Sequence, residues 1–365
     1  MKKIFNFVLT GGPCGGKSTA INKIYQDLSE RGYKVLIVPE TATELINSGI
    51  TVNLVGNVRF QELLFYKQLK KEELYRQIAS ELKSNKVVIL YDRGLVDGRA
   101  YMPQTVYEGV LKKFKTNESE IKARYDGIFH LVTAADGKEE FYTTKNNKAR
   151  TETLEEARNL DKKCIEAWVG HDKLKIIDNS TDFDEKINRL LSEIHFAIGD
   201  PLPIEIERKF LIKKPNIETI SKLYPVAVCD IFQFWLTENS LNTDERRVRS
   251  YGIDNNYTYY YTVKKQYNEG RIEIEERISE KEFLRFLPDM KSKLSKKRYC
   301  IAYDSQYIKL DIFDFEQDLA IVEVELSDIT NEVNLPEAFE VIKEVTNDEN
   351  YLNKNIALRK MLEYY

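Results

Sequence analysis

The stretch GGPCGGKST, residues 11–19, constrains the fold of this chain more than any other. It fits the pattern G-x-x-x-x-G-K-[ST], follows a short apolar run and opens a helical pattern, which is the context that supports such a match. The pattern predicts a loop whose backbone N–H groups curl around phosphate oxygens at a helix N-terminus. The alternative is a glycine-rich turn with a chance Lys-Ser pair. The nucleotide-binding residues of this loop are predicted to be Gly11, Gly12, Pro13, Cys14, Gly15, Gly16, Lys17, Ser18 and Thr19.

Two side chains of this loop have specific expected roles. Lys17 is predicted to be catalytic, because its ammonium group adds charge toward the β and γ phosphates. The Ser18 hydroxyl is an expected ligand of Mg²⁺. The loop thus predicts a nucleoside triphosphate, ATP or GTP, as a ligand.

The first 200 residues alternate between short apolar runs and longer helical patterns. The runs are residues 4–10, 34–40, 87–92, 127–133 and 174–179, and the helical patterns are 17–31, 57–84, 152–169 and 182–198. Near-continuous apolar strands separated by helices indicate a parallel sheet covered on both faces. We therefore predict an α/β parallel-sheet P-loop domain.

Polar residues at the strand ends extend the predicted site. Asp92 ends the third run and is expected to hold Mg²⁺ directly or through water, unless it merely starts a turn. Glu40, after the second run, is expected to accept a proton from a phosphoryl acceptor or to position it, unless it is only a helix N-terminal charge. Arg93 is predicted to contact the nucleotide. Arg150, in the polar insert 135–152, is predicted to reach the transferred phosphate from a lid, or else belongs to a solvated loop.

The sequence changes character at AIGDPLP, residues 197–203, where glycine and prolines break the preceding helix. We predict two domains, 1–199 and 200–365. Eight strand-like segments dominate the second, with helical patterns near 216–224, 280–293, 336–346 and 353–364. Many strands with few helices predict an antiparallel sheet or barrel within an α+β domain.

Charges recur at every second residue on the strands of the second domain. The charges at this spacing are Glu205, Glu207 and Lys209, Arg247 and Arg249, Glu273 and Glu275, Lys296 and Arg298, Lys309 and Asp311, and Glu323 and Glu325, while Lys264 closes another strand. Each pair alone is typical of a solvated strand face. Together they predict an ion-lined interior, in which basic groups hold a polyphosphate and carboxylates hold Mg²⁺ or Mn²⁺.

Both halves also resemble known families. GGPCGGKST, VPETATELI, YDRGLVDGRAY and the insert ending in KAR resemble the P-loop kinase-type domain related to nicotinamide riboside kinases, over about residues 3–198. This resemblance implies nucleotide binding and small-molecule phosphorylation.

EIERKFL, followed by RVR, TVK, RIEIEE, KKRY, KLDIF and VEVEL, is similar to the CYTH, or triphosphate tunnel metalloenzyme, superfamily, over about residues 203–327. The resemblance implies a tunnel with carboxylates on the metal side and basic residues along the phosphate path. The implied carboxylates are Glu205, Glu207, Glu323 and Glu325, and the implied bases are Lys209, Arg247, Arg249, Lys264, Lys296 and Arg298. Of these bases, Lys209 and Arg298 are predicted to be catalytic. Glu273, Glu275 and Asp311 are further metal candidates from the charge pattern.

The two-part layout resembles the TRPL translocation defect protein family, which implies GTP for the first domain and phosphoinositides for the second. Our leading hypothesis is an enzyme that binds ATP or GTP and hydrolyses a triphosphate-bearing ligand, with small-molecule kinase activity in its first domain. The alternative is a GTP-binding regulatory protein whose second domain binds a phosphoinositide or another phosphorylated ligand without turnover. A net charge of −4 argues against a DNA partner, and the absence of a long apolar stretch predicts no transmembrane segment. The four cysteines show no metal-ligand spacing, and with no secretory context we expect reduced thiols and a cytoplasmic location.

Overall fold

The computed structural model describes residues 2–142, 153–200, 206–236, 245–254, 256–267, 270–326 and 331–360. The chain forms two compact units, Met1–Ile194 and His195–Tyr365. No described helix combines the length and apolar character that a bilayer crossing requires. The predicted domain boundary between residues 199 and 200 stays a prediction.

The first unit is built on a five-stranded parallel sheet in the order β2-β3-β1-β4-β5. Its strands are β1 (Lys3–Thr10), β2 (Lys34–Val38), β3 (Lys86–Asp92), β4 (Gly127–Leu131) and β5 (Leu174–Ile177). The apolar runs make these strands because β3 and β4 are buried along nearly their whole length, as in a sheet covered on both faces.

Helices connect these strands. They are α1 (Lys17–Glu30), α2 (Thr41–Asn47), α3 (Val52–Val55), α4 (Asn57–Glu81), α5 (Gln104–Lys113), α6 (Glu118–Lys122), α7 (Leu154–Trp168) and α8 (Phe183–Ile198). Short 3₁₀ helices cover Leu95–Tyr101 and Glu139–Phe141. All five strands run in the same direction, so the glycine loop after β1 and the polar residues after β2 and β3 meet at one edge of the sheet.

The second unit is built on a nine-stranded antiparallel sheet in the order β10-β9-β8-β7-β11-β12-β13-β6-β14. Its strands are β6 (Glu207–Lys213), β7 (Val226–Leu236), β8 (Glu245–Ile253), β9 (Asn256–Tyr267), β10 (Gly270–Ile278), β11 (Met290–Tyr303), β12 (Gln306–Phe313), β13 (Leu319–Glu325) and β14 (Val341–Glu344). Its helices are α9 (Ile217–Leu223), α10 (Glu280–Phe286) and α11 (Asn353–Arg359), with 3₁₀ turns at Leu287–Asp289 and Glu349–Tyr351.

The fold class predicted from the sequence is confirmed. A parallel sheet flanked by helices is followed by a large antiparallel sheet. One face of the antiparallel sheet is apolar and packs with α9 around Ile308, Leu310 and Val322. The opposite face carries the alternating charges.

Two helical predictions in the second unit are wrong. Residues 336–346 contain strand β14, because Val341, Lys343 and Glu344 pair with the open edge of β6. The helix expected over 280–293 ends at Phe286, and β11 begins at Met290 to pair with β7. In both places the strand pairing offered by a distant neighbour outweighs the local helical pattern.

Candidate functional sites

The loop between β1 and α1 has the conformation that its glycines allow. Gly11 and Gly16 have φ values of 141° and 88°, and a side chain at Gly11 would overlap the Leu131 carbonyl oxygen. The Lys17 Nζ lies across the loop and donates to the carbonyl oxygens of Gly11 and Gly12, each at 2.9 Å. The loop is therefore held curled around its own lysine at the start of α1, where Ser18 is exposed.

Lys17 is surrounded by other charges. Burial, reinforced by the Arg93 guanidinium and opposed by the Asp92 carboxylate, lowers the pKa of Lys17 to about 8. A bound phosphate would favour the charged form and reverse this shift, since an opposite charge nearby favours the ionised state. The lysine is thus placed where an anion stabilises it.

Asp92 is positioned beside the loop by the pairing of β3 with β1, in which Leu9 is opposite Asp92. Burial and the neighbouring Glu40 charge raise the pKa of Asp92. Its Oδ1 atom is buried without a hydrogen-bond partner. A buried carboxylate oxygen left unpaired is costly, so it fits a site for a hard divalent cation or for water bound to one.

Glu40 and Arg93 form an ion pair at the same edge of the sheet. The Arg93 Nε donates to Glu40 Oε1 at 2.8 Å, and the Thr43 hydroxyl donates to Glu40 Oε2 at 2.5 Å. Burial acts to raise the pKa of Glu40, but the Arg93 charge and the Thr43 hydrogen bond prevail and hold it at about 2. A carboxylate with so low a pKa is a weak base. Its role as a proton acceptor stays a prediction.

Arg93 is itself fixed by its surroundings. It has a φ of 67°, its guanidinium lies 5.7 Å from the centre of the Tyr101 ring, and Nη1 lies 3.7 Å from Asp97 Oδ1. A left-handed conformation at a non-glycine residue persists only where its surroundings hold it. The guanidinium is therefore preorganised beside Lys17.

Sequence reasoning missed Asp161, which lies on α7. Its Oδ1 accepts hydrogen bonds from the backbone N–H of Gly12 at 2.6 Å and of Thr133 at 3.2 Å, and lies 3.2 Å from His130 Nε2. No local pattern marks this aspartate, because its partners are distant in the chain. Only the fold brings it behind the glycine loop.

Strand register places the predicted site residues of the second unit on one face of the antiparallel sheet. Lys209 is opposite Glu323, which is opposite Lys309 on the next strand. Arg298 is opposite Asp311 on one side and Cys229 on the other. Through β7 and β8 the same face continues to Arg247 and Arg249, then to Lys264, Glu273 and Glu275. The structure thus brings these predicted site residues onto one continuous surface.

Arg298 is the centre of the first group of charges on this face. It donates from Nε and Nη2 to the two carboxylate oxygens of Asp311, both at 2.7 Å, and from Nη2 to Glu323 Oε2 at 2.7 Å. Lys296 also pairs with Asp311. The exposed fraction is 0% for Asp311 and 5% for Arg298, so these ions are buried.

Lys209 and Lys309 extend this group toward β6. Lys209 Nζ lies 2.8 Å from Glu207 Oε1 and 3.3 Å from Glu323 Oε1. Lys309 pairs with Glu325. Glu207 and Glu325 stand directly opposite each other on β6 and β13. Like charges in that position repel, so the basic neighbours are required to offset them.

A second group lies on β8, β9 and β10. Arg247 pairs with Glu273 at 2.9 Å, Lys264 with Glu273 at 2.7 Å, and Arg249 with Glu275 at 3.0 Å. The Arg249 guanidinium also lies 5.1 Å from the centre of the Tyr260 ring. The cation–π contact and the carboxylate partner together restrict the conformations of this side chain.

The buried position of these ions changes their titration. Burial lowers the pKa of Lys296 to about 8 against the opposing Asp311 carboxylate. Burial acts to raise the pKa of Glu323, but the Lys209, Lys296 and Arg298 charges hold it well below its ordinary value. The protonation of each of these groups therefore depends on the charges of its neighbours on the same face.

Asn353 is a second residue that sequence reasoning missed. It opens α11, and its side-chain oxygen accepts a hydrogen bond from Lys296 Nζ at 3.2 Å. Helix α11 packs Ile356 and Ala357 against the apolar end of the same sheet face. The C-terminal helix therefore covers part of the charged face.

The predicted metal ligands remain predictions. Within the described ranges, no three acidic, histidine or cysteine side chains are grouped as a metal ion requires. Glu205 and Arg150 lie outside the described residues. The other predicted carboxylates of this unit all pair with basic side chains; these are Glu207, Glu273, Glu275, Asp311, Glu323 and Glu325. Their oxygen donors suit Mg²⁺ or Mn²⁺, and Glu207 opposite Glu325 is the arrangement that a cation would relieve.

Comparisons with known proteins give partial matches. Residues 6–186 match the model of a family described as an AAA domain, and this region is an AAA-like, P-loop-type domain. A comparison with curated proteins gave no match.

Solved structures with some similarity include two of NE1496, one described as a hypothetical protein and the other as an inorganic triphosphatase. They are 29% and 28% identical to this chain, cover 42% of it and 97% and 94% of their own chains, and have TM-scores of 0.30. The PH1012 protein from Pyrococcus horikoshii OT3 is 21% identical, covers 34% of this chain and 81% of its own, and has a TM-score of 0.26. TM-scores this low define neither the fold nor the function of this chain.

Proposed function

We propose that the first unit binds ATP or GTP with Mg²⁺ and that the second unit binds and hydrolyses a triphosphate-bearing ligand with Mg²⁺ or Mn²⁺. The observation that carries the proposal is the buried charged face of the antiparallel sheet, centred on Arg298 between Asp311 and Glu323. Transfer of the γ phosphate to a small molecule by the first unit is part of the same proposal.

Buried ion pairs are a poor way to stabilise a protein. Taking two charges out of water costs several kcal/mol per ion, and well-packed apolar residues often stabilise as well or better. A sheet face with seven basic side chains is therefore better explained by a ligand than by stability. Those seven are Lys209, Arg247, Arg249, Lys264, Lys296, Arg298 and Lys309.

The geometry suits a chain of phosphates. The Arg298 guanidinium already makes a bidentate contact with a carboxylate, and two oxygens of a phosphate can accept the same pair of hydrogen bonds. The acidic partners keep the basic groups oriented without a ligand. A divalent cation, when bound by carboxylates such as Glu207 and Glu325, would supply polarisation of the terminal phosphoryl group and a more acidic water.

In the first unit, the support is the loop itself together with Asp92. Lys17 is held at the mouth of a curled glycine loop, and Asp92 presents a buried oxygen with no hydrogen-bond partner. This combination serves a Mg²⁺–nucleotide complex. Arg93, fixed nearby by Glu40, offers a further positive charge for the transferred phosphate.

The test measures phosphate release by the purified chain from tripolyphosphate, ATP and GTP, with Mg²⁺ or Mn²⁺. Lys296→Met is compared with Lys297→Met, since Lys297 is the next residue on β11 but is exposed on the other face. Lys17→Ala is compared with Lys23→Ala, an exposed lysine on the same helix α1.

We expect Lys296→Met to lower tripolyphosphate hydrolysis by about tenfold or more, and Lys297→Met to leave it unchanged. Lys17→Ala is expected to remove nucleotide binding by the first unit and to spare tripolyphosphate hydrolysis. No phosphate release from any of the three substrates would overturn the hydrolase proposal. Ligand binding that depends on Lys296 but never leads to turnover would instead support a regulatory protein that holds a phosphorylated ligand.

A further inference from the structure

We propose that Asp161 is a positioning residue that holds the phosphate-binding loop in its curled form before any nucleotide arrives. The inference rests on the proposed nucleotide site of the first unit. It concerns a residue on α7 that the glycine motif does not contain. Its Oδ1 atom accepts hydrogen bonds from the backbone N–H groups of Gly12 and Thr133 and lies 3.2 Å from His130 Nε2.

The contact with Gly12 is the closest of the three, at 2.6 Å. Hydrogen bonds from backbone N–H groups to a carboxylate are about twice as strong as those between neutral groups. A β-carbon at residue 12 would lie 2.6 Å from Asp161 Oδ1 and 2.8 Å from its Cβ. The aspartate therefore approaches so closely that only glycine fits opposite it.

Asp161 also joins the loop to the end of the neighbouring strand. The N–H of Thr133, just after β4, donates to the same oxygen, and the Thr133 hydroxyl bonds to the carbonyl oxygen of Pro13. His130, within β4, is fully buried and lies against Asp161. The carboxylate thus ties the glycine loop to the end of β4.

The face of α7 that carries Asp161 touches the rest of the phosphate site as well. Arg158 Nε donates to the Ala135 carbonyl oxygen at 2.5 Å, and Cys164 Sγ lies 4.0 Å from Arg93 Nη1. Residues 158, 161 and 164 are three apart, so they share one face of the helix. One helix face therefore contacts both the glycine loop and the loop that carries Arg93.

Repulsion makes a direct role in phosphate binding unfavourable for this residue. A carboxylate close to the loop opposes an incoming phosphate, and the Asp161 Oδ1 atom already accepts two backbone hydrogen bonds and contacts His130. Its contribution is geometric: it fixes the backbone whose other N–H groups bind phosphate. An asparagine, which keeps the acceptor oxygen and loses the charge, should do the same work.

The test uses the full chain and two measurements on Asp161→Ala, Asp161→Asn and, as the matched control, Glu166→Ala, an exposed acid on the same helix. The first is the affinity for MgADP and MgGDP, measured by calorimetry. Only binding that is lost in Lys17→Ala is counted. The second is hydrogen–deuterium exchange of residues 11–17 without nucleotide, which needs no ligand.

We expect Asp161→Ala to bind MgADP and MgGDP about tenfold or more weakly and to exchange faster across the loop, because the acceptor of the Gly12 and Thr133 hydrogen bonds is lost. Asp161→Asn should stay within about threefold of the parental affinity. Unchanged loop exchange in Asp161→Ala, or an equal loss in Asp161→Asn, would overturn the inference.

If circular dichroism shows that Asp161→Ala is unfolded, Asp161→Glu replaces it. The longer glutamate side chain is expected to displace Gly12 and to weaken nucleotide binding similarly. Parental behaviour of the glutamate variant would overturn the inference. A parental chain with no Lys17-dependent binding overturns the proposed nucleotide site instead, while loop exchange still decides the role of Asp161.

Discussion

The two units make their candidate anion sites from different materials. The first uses the backbone of one short loop, with Lys17 as its main charged group. The second uses side chains from strands spread over more than a hundred residues, held in place by register. A backbone site depends on the conformation of a few glycines, whereas a side-chain site depends on the balance of buried charges. Different kinds of substitution should therefore disrupt the two sites.

The largest expected effect comes from breaking the charge balance. Arg298→Met leaves Asp311 and Glu323 buried without their shared partner, and removal of one partner of a buried pair costs about 3–5 kcal/mol. Urea unfolding followed by Trp235 fluorescence in a Trp168→Phe background measures this in the second unit. Lys297→Met, an exposed neighbour, is expected to change the unfolding free energy by less than about 0.5 kcal/mol. Equal effects of the two variants would contradict a buried charged face.

A smaller effect is expected from the backbone of the first unit. Gly11→Ala forces a β-carbon onto the Leu131 carbonyl oxygen at a φ of 141°, a strain worth about 1–3 kcal/mol. Trp168 fluorescence in a Trp235→Phe background follows the unfolding of this unit. The control is Gly109→Ala in the middle of α5, which meets no atom and should stabilise by about 0.5–1 kcal/mol. A stable Gly11→Ala protein that still binds nucleotide would show that the loop does not need this conformation.

The pH dependence of nucleotide binding tests the charge on Lys17 in the first site. Because the pKa of Lys17 is lowered to about 8, the free protein carries the charge below that pH and loses it above. Phosphate binds the charged form, so affinity should fall by about tenfold per pH unit as the pH rises beyond 8. Calorimetry with MgADP at several pH values measures the slope. Lys17→Arg, which stays charged, should bind with a flatter profile, and an equal slope in both would assign the proton to another group.

The smallest expected effect concerns helix α11, which covers part of the charged face. Asn353→Ala removes one hydrogen bond to Lys296 and should cost about 1 kcal/mol in the second unit. Leu358→Ala, an exposed position on the same helix α11, is the control and should be near neutral. A loss of several kcal/mol from Asn353→Ala would mean that Asn353 supports more of the charged face than the single contact with Lys296.

Site residues that follow a regular spacing could be predicted from the sequence, whereas those that depend on tertiary contacts could not. The phosphate loop has a contiguous signature, and the charged strands repeat with the period of a β-strand, so both were predictable. Asp161 and Asn353 each act through one contact with a distant segment and have no repeating pattern around them. Strand β14 was predicted as a helix because the open edge of β6 that it pairs with is created only by the tertiary fold.

Successive side chains of β11 lie on opposite faces of the sheet, and this has a consequence for how the second unit folds. If β11 slipped by one position against β12, Arg298 would stand opposite Leu310 or Ile312 in place of Asp311, and Lys297 would turn inward. Lys296 and Arg298 would then leave their carboxylate partners and turn toward the apolar face that contains Leu310. Misaligned sheets are thus penalised far more than in an all-apolar core, where a shifted leucine still meets another apolar side chain. Substitutions on this face should consequently be tolerated in compensating pairs on neighbouring strands rather than one at a time.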